Sequence, residues 1–132
     1  MRYYFFDSST FLKLFVVENG ADRVRAIVRA AEANGAKLRV SVCDLAHPEV
    51  VSALRQMVER GVGGRRGISA ASLKRTLPEL RTFFEQSSAF SVVRASDVVA
   101  PAADLAARLQ ITGADSVHVA AAKSVQRRAK RG

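Results

Sequence analysis

Tyr3-Tyr4-Phe5-Phe6-Asp7-Ser8-Ser9-Thr10 is the most informative segment of this 132-residue chain. Four aromatic residues typical of a buried strand are followed at once by a carboxylate and three small hydroxyl residues. In an open parallel sheet, ligands bind in the crevice beyond the carboxyl ends of the strands. Asp7 is therefore a candidate metal ligand or acid–base group; the alternative is that it only caps the next helix.

Strands and helices alternate along the rest of the chain. Strands are predicted over residues 3–6, 38–42 and 90–93. Helices are predicted over residues 9–17, 21–33, 44–60, 69–87 with a break at Pro78, from a cap at Ser96 or Asp97 to Leu109, and from Asp115 to about Arg128. This alternation predicts one α/β domain over residues 1–132, built on a central parallel sheet.

The charge balance is strongly basic, with 21 Lys and Arg against 12 Asp and Glu and a net charge of +9. Such an excess favours a polyanionic partner, nucleic acid first and an acidic protein second, with simple solubility as the bland alternative. Arg65 and Arg66, in a glycine-rich loop predicted between two helices, are candidates to contact a nucleic-acid backbone. Arg127 and Arg128 in the basic tail are the other candidates, and a solvated basic surface is the alternative reading for both pairs.

Cys43 is the only cysteine. A single cysteine excludes an internal disulfide and a Cys-based zinc site, and it fits a reducing compartment, so we expect a cytoplasmic protein. No apolar run reaches the ~20 residues that a membrane-spanning helix requires. Asp7 and Lys13 interrupt the apolar N-terminus, which therefore does not read as a signal peptide. We expect no membrane partner.

Three acidic residues stand at strand ends or helix starts. Asp7 follows the first predicted strand, Glu49 lies in the first turn of the helix after the second strand, and Asp115 opens the last helix. The helix dipole also favours acids in a first turn, so each residue has a purely structural alternative.

Three segments around these acids resemble the same protein family. Residues 4–14 read YFFDSSTFLKL, residues 45–55 read LAHPEVVSALR, and residues 113–122 read GADSVHVAAA. In this order the segments resemble PIN-domain proteins, and more narrowly the VapC toxins of bacterial and archaeal toxin–antitoxin pairs. The resemblance covers nearly the whole chain. It implies a three-layer α/β/α fold.

The resemblance also implies an activity and a set of partners. Asp7, Glu49 and Asp115 would gather to hold Mg²⁺ or Mn²⁺ and hydrolyse RNA, which agrees with the preference of hard divalent cations for oxygen ligands. Ser9 would orient Asp7 by a hydrogen bond; a role as a helix N-cap is the compatible alternative. A VapB-like antitoxin would inhibit the enzyme. A homodimer is expected by resemblance, with Leu12, Phe15 and Val16 serving either the dimer or the core.

One departure from the family pattern opens a second reading. A fourth acid on a further strand after the last helix is expected in the family and is missing here, because residues 123–132 contain no acid. The alternative function is therefore a weakly active or inactive PIN-like module that binds RNA or a partner protein. A DNA-processing nuclease of the wider PIN-like group is a third candidate.

Other residues are expected to be structural. His118 is predicted to be a buried histidine, and His47 is expected to point away from the acids. Asp44 and Asp97 are interpreted as helix caps. The phenylalanines are interpreted as core residues rather than platforms for bases; they are Phe83, Phe84 and Phe90.

Overall fold

The computed structural model describes residues 1–60, 68–86 and 90–132. The elements follow in the order β1 (Arg2–Phe6), α1 (Ser8–Leu12), α2 (Ala21–Ala33), β2 (Leu38–Cys43), α3 (Ala46–Glu59), α4 (Ala70–Gln86), β3 (Phe90–Val93), a short 3-10 turn (Ala95–Asp97), α5 (Val99–Arg108) and α6 (Gly113–Arg131). The predicted α/β class is confirmed.

The three strands of the described ranges form one parallel sheet in the order β1-β2-β3. Tyr4 lies opposite Val40, and Val40 lies opposite Phe90 in the third strand. Helices lie between consecutive strands, as parallel pairing requires. The carboxyl ends of all three strands therefore lie at the same edge of the sheet.

Both faces of the sheet are covered, because side chains along a strand alternate between the two faces. Phe6, Val40 and Val42 point into a cluster formed with α1 to α4. Cys43 and Val93 point into a second cluster formed with α5 and α6. Two hydrophobic clusters on opposite faces of one sheet are typical of a parallel sheet between two helical layers. This arrangement is the three-layer fold expected for the chain.

Phe11 anchors α1 on the first of these faces. Its ring is fully buried, and its centroid lies 5.1 Å from that of Phe84 and 5.5 Å from that of Phe90. Phe83 lies 6.0 Å away in an edge-on arrangement, a geometry that aromatic pairs prefer. The three phenylalanines predicted to be core residues are thus packed in or against the core, and the helix after Asp7 is fixed by them.

Helix α1 is shorter than predicted. It ends at Leu12 rather than near residue 17. The amides of Lys13, Leu14 and Phe15 bond to carbonyls three residues back, which tightens the chain into successive turns. Val16 is buried, and Leu12 and Phe15 are partly buried against the core, so all three residues contribute to the core.

Helix α4 is unbroken at Pro78, so the predicted break is wrong. A proline inside a helix leaves the carbonyl four residues earlier without its partner. Pro78 and Lys74 are both exposed, so the missing hydrogen bond lies on the solvent side of α4.

The predicted cap of α5 is also wrong. Val98 occupies the N-cap position, and the carboxylate of Asp97 instead accepts a hydrogen bond of 3.1 Å from the Arg94 guanidinium. Helix α6 begins two residues earlier than predicted, with Thr112 as its N-cap, and extends to Arg131. In the described part of the chain no strand follows α6.

The predicted loop that contains Arg65 and Arg66 lies outside the described residues. Across residues 1–60, 68–86 and 90–132, no helix has both the length and the apolar character needed to cross a bilayer.

Two leucines of α4 allow a matched test of this packing. Leu80 is fully buried, whereas Leu77, three residues away, is 39% exposed. We expect Leu80→Ala to lower the free energy of unfolding by about 2–5 kcal/mol, because it leaves a cavity in the core. Leu77→Ala is expected to change it by no more than about 0.5 kcal/mol. Urea denaturation of both variants checks the prediction, and equal losses of stability would contradict the orientation of α4.

Candidate functional site

The junction between β1 and α1 fixes Asp7. Its backbone is extended, and its carboxylate caps α1. Oδ1 accepts one hydrogen bond of 2.9 Å from the Thr10 amide and another of 2.9 Å from the Ser9 hydroxyl. The capping interpretation of Asp7 is therefore correct. Ser9 contacts Asp7 as the family resemblance implied, and it lies inside α1 rather than at its N-cap.

The surroundings of Asp7 favour its charged form. Partial burial raises the pKa of this carboxyl, but the hydrogen bonds from Thr10 and Ser9, together with nearby His118, outweigh that effect. The pKa of Asp7 therefore lies below its ordinary value, because hydrogen bonds to a carboxylate stabilise the ionised state. Asp7 is held ionised and oriented at the end of β1.

Ser8, Glu49 and His118 meet beside Asp7; we call these three residues the Glu49 triangle. Ser8 Oγ donates a hydrogen bond of 2.6 Å to Glu49 Oε1. His118 Nε2 lies 2.5 Å from the same Glu49 oxygen and 3.0 Å from Ser8 Oγ. The three residues come from α1, α3 and α6, so both helical layers contribute to the site.

The buried ring of His118 fixes how the triangle is protonated. Its Nδ1 is buried and has no hydrogen-bond partner among the described residues, so a proton is better placed on Nε2, where Glu49 Oε1 accepts it. A serine–histidine–acid relay needs one ring nitrogen for the serine and the other for the acid. Here Nε2 faces both groups, and this geometry does not fit such a relay.

Asp115 lies one turn before His118 on α6. It is exposed, and its amide donates a hydrogen bond of 3.1 Å to Thr112 Oγ1 at the start of the helix. Within the described ranges, no hydrogen bond or ion pair joins its carboxylate to Asp7 or Glu49. The same part of the chain contains no group of three His, Cys, Asp or Glu side chains that could hold a metal ion.

The donor atoms nevertheless fit a hard divalent cation in kind. Donors engage Oδ1 of Asp7 and Oε1 of Glu49, and both hydrogen bonds that reach Glu49 fall on that one oxygen. Mg²⁺ is commonly held by one or two carboxylates with waters and substrate phosphates completing the shell. Asp7 and Glu49 would be the protein ligands, with Asp115 available at the exposed side.

The other acids and His47 have structural roles. Asp44 Oδ1 accepts a hydrogen bond of 2.8 Å from the Ala95 amide and so holds the turn after β3; Leu45, not Asp44, is the N-cap of α3. His47 stacks on Phe84, with ring centroids 4.8 Å apart and planes 8° from parallel. The partners of both side chains in these contacts lie outside the Glu49 triangle.

The basic residues of α6 lie on its exposed surface. Arg127 and Arg128 are both exposed in the last turns of the helix. Cys43 is buried at the end of β2, and burial raises the pKa of its thiol. Its environment is that of a structural core residue.

The role of Ser8 and the full role of His118 were missed from the sequence. Ser8 is one of three consecutive hydroxyl residues, and His118 follows Asp115 by one helical turn. Spacing puts each near an acid of its own segment. It does not reveal that both reach Glu49, which lies 41 and 69 residues away along the chain.

Compared with models of known protein families the chain matches none, and the comparison with curated proteins also found no match. The likeness to PIN domains thus rests on the three sequence segments.

Asp7 makes a testable contribution to stability. We expect Asp7→Ala to lower the free energy of unfolding by about 1 kcal/mol near neutral pH, as removal of a helix N-cap does. Because folding lowers the pKa of Asp7, its charge contribution is complete above the ordinary value of 3.8 and disappears as the pH falls through the folded-state pKa. The difference between the parent chain and the variant should therefore narrow below that pH.

Urea denaturation near neutral pH and at a series of pH values from 3.8 downward measures this difference as the carboxyl takes up its proton. Asp104→Ala removes an exposed carboxylate of α5 and serves as the control. A difference that widens on acidification would contradict the lowered pKa.

Proposed function

We propose that this protein is a Mg²⁺- or Mn²⁺-dependent endoribonuclease of the VapC toxin type, which hydrolyses RNA phosphodiester bonds. The observation that carries the proposal is the meeting of Asp7 and the Glu49 triangle beyond the carboxyl end of β1. That is the position where open parallel sheets bind ligands. The three sequence segments that resemble VapC toxins contain the same residues.

The chemistry that Mg²⁺ or Mn²⁺ supplies is Lewis-acid stabilisation of the phosphate oxygens and activation of water. Asp7 contributes a carboxylate that stays ionised because Thr10 and Ser9 donate to it. Glu49 contributes a second carboxylate whose position is fixed by its neighbours. Asp115, exposed at the start of α6, would be a third carboxylate on the side where RNA enters.

The proposed partners follow from charge and resemblance. A chain with a net charge of +9 attracts polyanions, and RNA is the substrate class that fits the proposed chemistry. A VapB-like antitoxin is the proposed inhibitor, in a cytoplasmic toxin–antitoxin pair. A homodimer is proposed by resemblance alone. Phe15 and Val16, which were candidates for the dimer contact, pack in or against the core of the single chain.

A second candidate function is a PIN-like module that binds RNA or an antitoxin without cleaving RNA. The observation that favours it is that the described residues contain no group of three acids or histidines ready to hold a metal. The two candidates differ in one property, metal-dependent cleavage.

The deciding experiment measures RNA cleavage in Mg²⁺ or Mn²⁺ by the parent chain, Asp7→Asn, Glu49→Gln and Asp115→Asn. Each substitution keeps the size of the side chain and removes one charge. We expect the cleavage rate of the Asp7 and Glu49 variants to fall by about 100-fold or more. Removing a residue that only supports a metal ligand already lowers activity by up to about 100-fold, and the loss of a ligand itself should cost at least as much. Chelation of the metal should abolish cleavage.

Asp104→Asn provides the matched control, because it makes the same change on the exposed face of α5. It should keep full activity. Tight RNA binding by a folded parent chain without cleavage would establish the binding module instead.

The basic end of α6 makes a separate prediction about RNA binding. If Arg127 and Arg128 neutralise phosphates, replacing both with alanine should weaken binding to single-stranded RNA at all sequences. The slope of log affinity against log salt should become shallower by about 0.7 for each phosphate that is no longer neutralised. Fluorescence anisotropy at several salt concentrations measures this slope.

Arg23→Ala with Arg29→Ala is the control pair, since both arginines are exposed on α2, in the other helical layer. If both double variants lose the same affinity and the same salt slope, the net positive charge of the protein, and not the position of Arg127 and Arg128, determines RNA binding.

A further inference from the structure

We propose that Ser8 and His118 are positioning residues, which together occupy one oxygen of Glu49 and leave the other for the cation. This inference rests on the proposed function. It assigns a role to two residues outside the set of acids, and it explains how a glutamate on α3 is held at a site built around β1.

One carboxylate oxygen of Glu49 accepts two hydrogen bonds. Glu49 Oε1 receives Ser8 Oγ at 2.6 Å and His118 Nε2 at 2.5 Å. A carboxylate oxygen offers two lone-pair positions, and two donors fill both of them. Hydrogen bonds to an ionised acceptor are short and strong. Oε1 is therefore committed to the protein, and Oε2 is the oxygen left to coordinate a cation.

His118 is more deeply buried than Glu49. The side chain of His118 is 8% exposed, whereas that of Glu49 is 33% exposed. The anchoring donor lies in the protein and the anchored carboxylate reaches toward solvent. Nδ1 of His118 is buried and has no hydrogen-bond partner in the described part of the chain. The polar contacts of the ring are therefore made by Nε2, with Glu49 and Ser8.

Ser8 and His118, the two donors to Glu49, belong to different helical layers of the fold. Ser8 starts α1, which is fixed by the burial of Phe11, and His118 lies on α6 across the sheet. A glutamate side chain has several rotatable bonds, and an unanchored one samples many orientations. Donors from two sides hold its carboxylate in one orientation, as outer-shell partners do for ligands at metal sites.

The test measures Mn²⁺ affinity of the metal-free protein by electron paramagnetic resonance, for the parent chain and three variants. His118→Leu replaces the ring with an apolar side chain of similar bulk and so removes the donor. His118→Gln restores an N–H donor at a similar reach, and Ser8→Ala removes the second donor. We expect His118→Leu to weaken Mn²⁺ binding by about 10–100-fold. His118→Gln should recover most of that affinity.

Ser124→Ala is the control on α6, because among the described residues the Ser124 hydroxyl donates only to the Ala121 carbonyl within the helix. It should bind Mn²⁺ as the parent chain does. Thermal unfolding of every variant shows whether the fold is retained. A long-range proton–nitrogen NMR spectrum of the metal-free parent should show the proton of His118 on Nε2.

The outcomes separate this inference from the function on which it rests. A folded parent chain that binds no Mn²⁺ overturns the proposed function and this inference with it. A parent chain that binds Mn²⁺, with unchanged affinity in His118→Leu, overturns the positioning role alone. Equally weakened binding in the folded leucine and glutamine variants would also overturn it, because the donor would then not be the relevant property.

Discussion

Parallel pairing of β1, β2 and β3 is the constraint from which the site follows. Phe6, Val42 and Val92 lie in register across the three strands. Asp7 directly follows β1 and Asp44 directly follows β2, so both lie along one edge of the sheet. Helix α3 starts just after that edge and carries Glu49 in its first turn. The sheet thus gathers polar groups that the sequence separates by tens of residues.

Burial on both faces of the sheet gives the site its rigidity. The aromatic cluster around Phe11 fixes α1 on one face, while Ala120 and Ala121 of α6 pack on the other. Ser8 and His118 are carried by these two helices. Since protein interiors are closely packed, neither helix can shift freely. The Glu49 triangle is therefore held from both layers by packing that lies outside it.

The candidate site carries acidic side chains, whereas the molecule as a whole has a net positive charge. A net charge of +9 attracts polyanions to the molecule as a whole, while the carboxylates of Asp7 and Glu49, at the start of α1 and in the first turn of α3, would repel a phosphate in the absence of a cation. A divalent cation between the carboxylates and the phosphate would resolve this conflict, which is the physical reason for proposing a metal-dependent nuclease over a simple RNA-binding surface.

Local sequence was sufficient to predict the α/β class, the parallel sheet and the positions of most elements, because the apolar periodicity that distinguishes a helix from a strand acts over a few residues. It also indicated that Asp7 caps a helix, since that hydrogen bond reaches only to Thr10. Its errors fell where neighbours outside the local segment decide: α1 tightens after Leu12, and α4 runs through Pro78 with its exposed face in water. That Ser8 and His118 share one oxygen of Glu49 emerged only from the folded chain. Three helices from two layers must meet to form that contact, and no local pattern encodes their meeting.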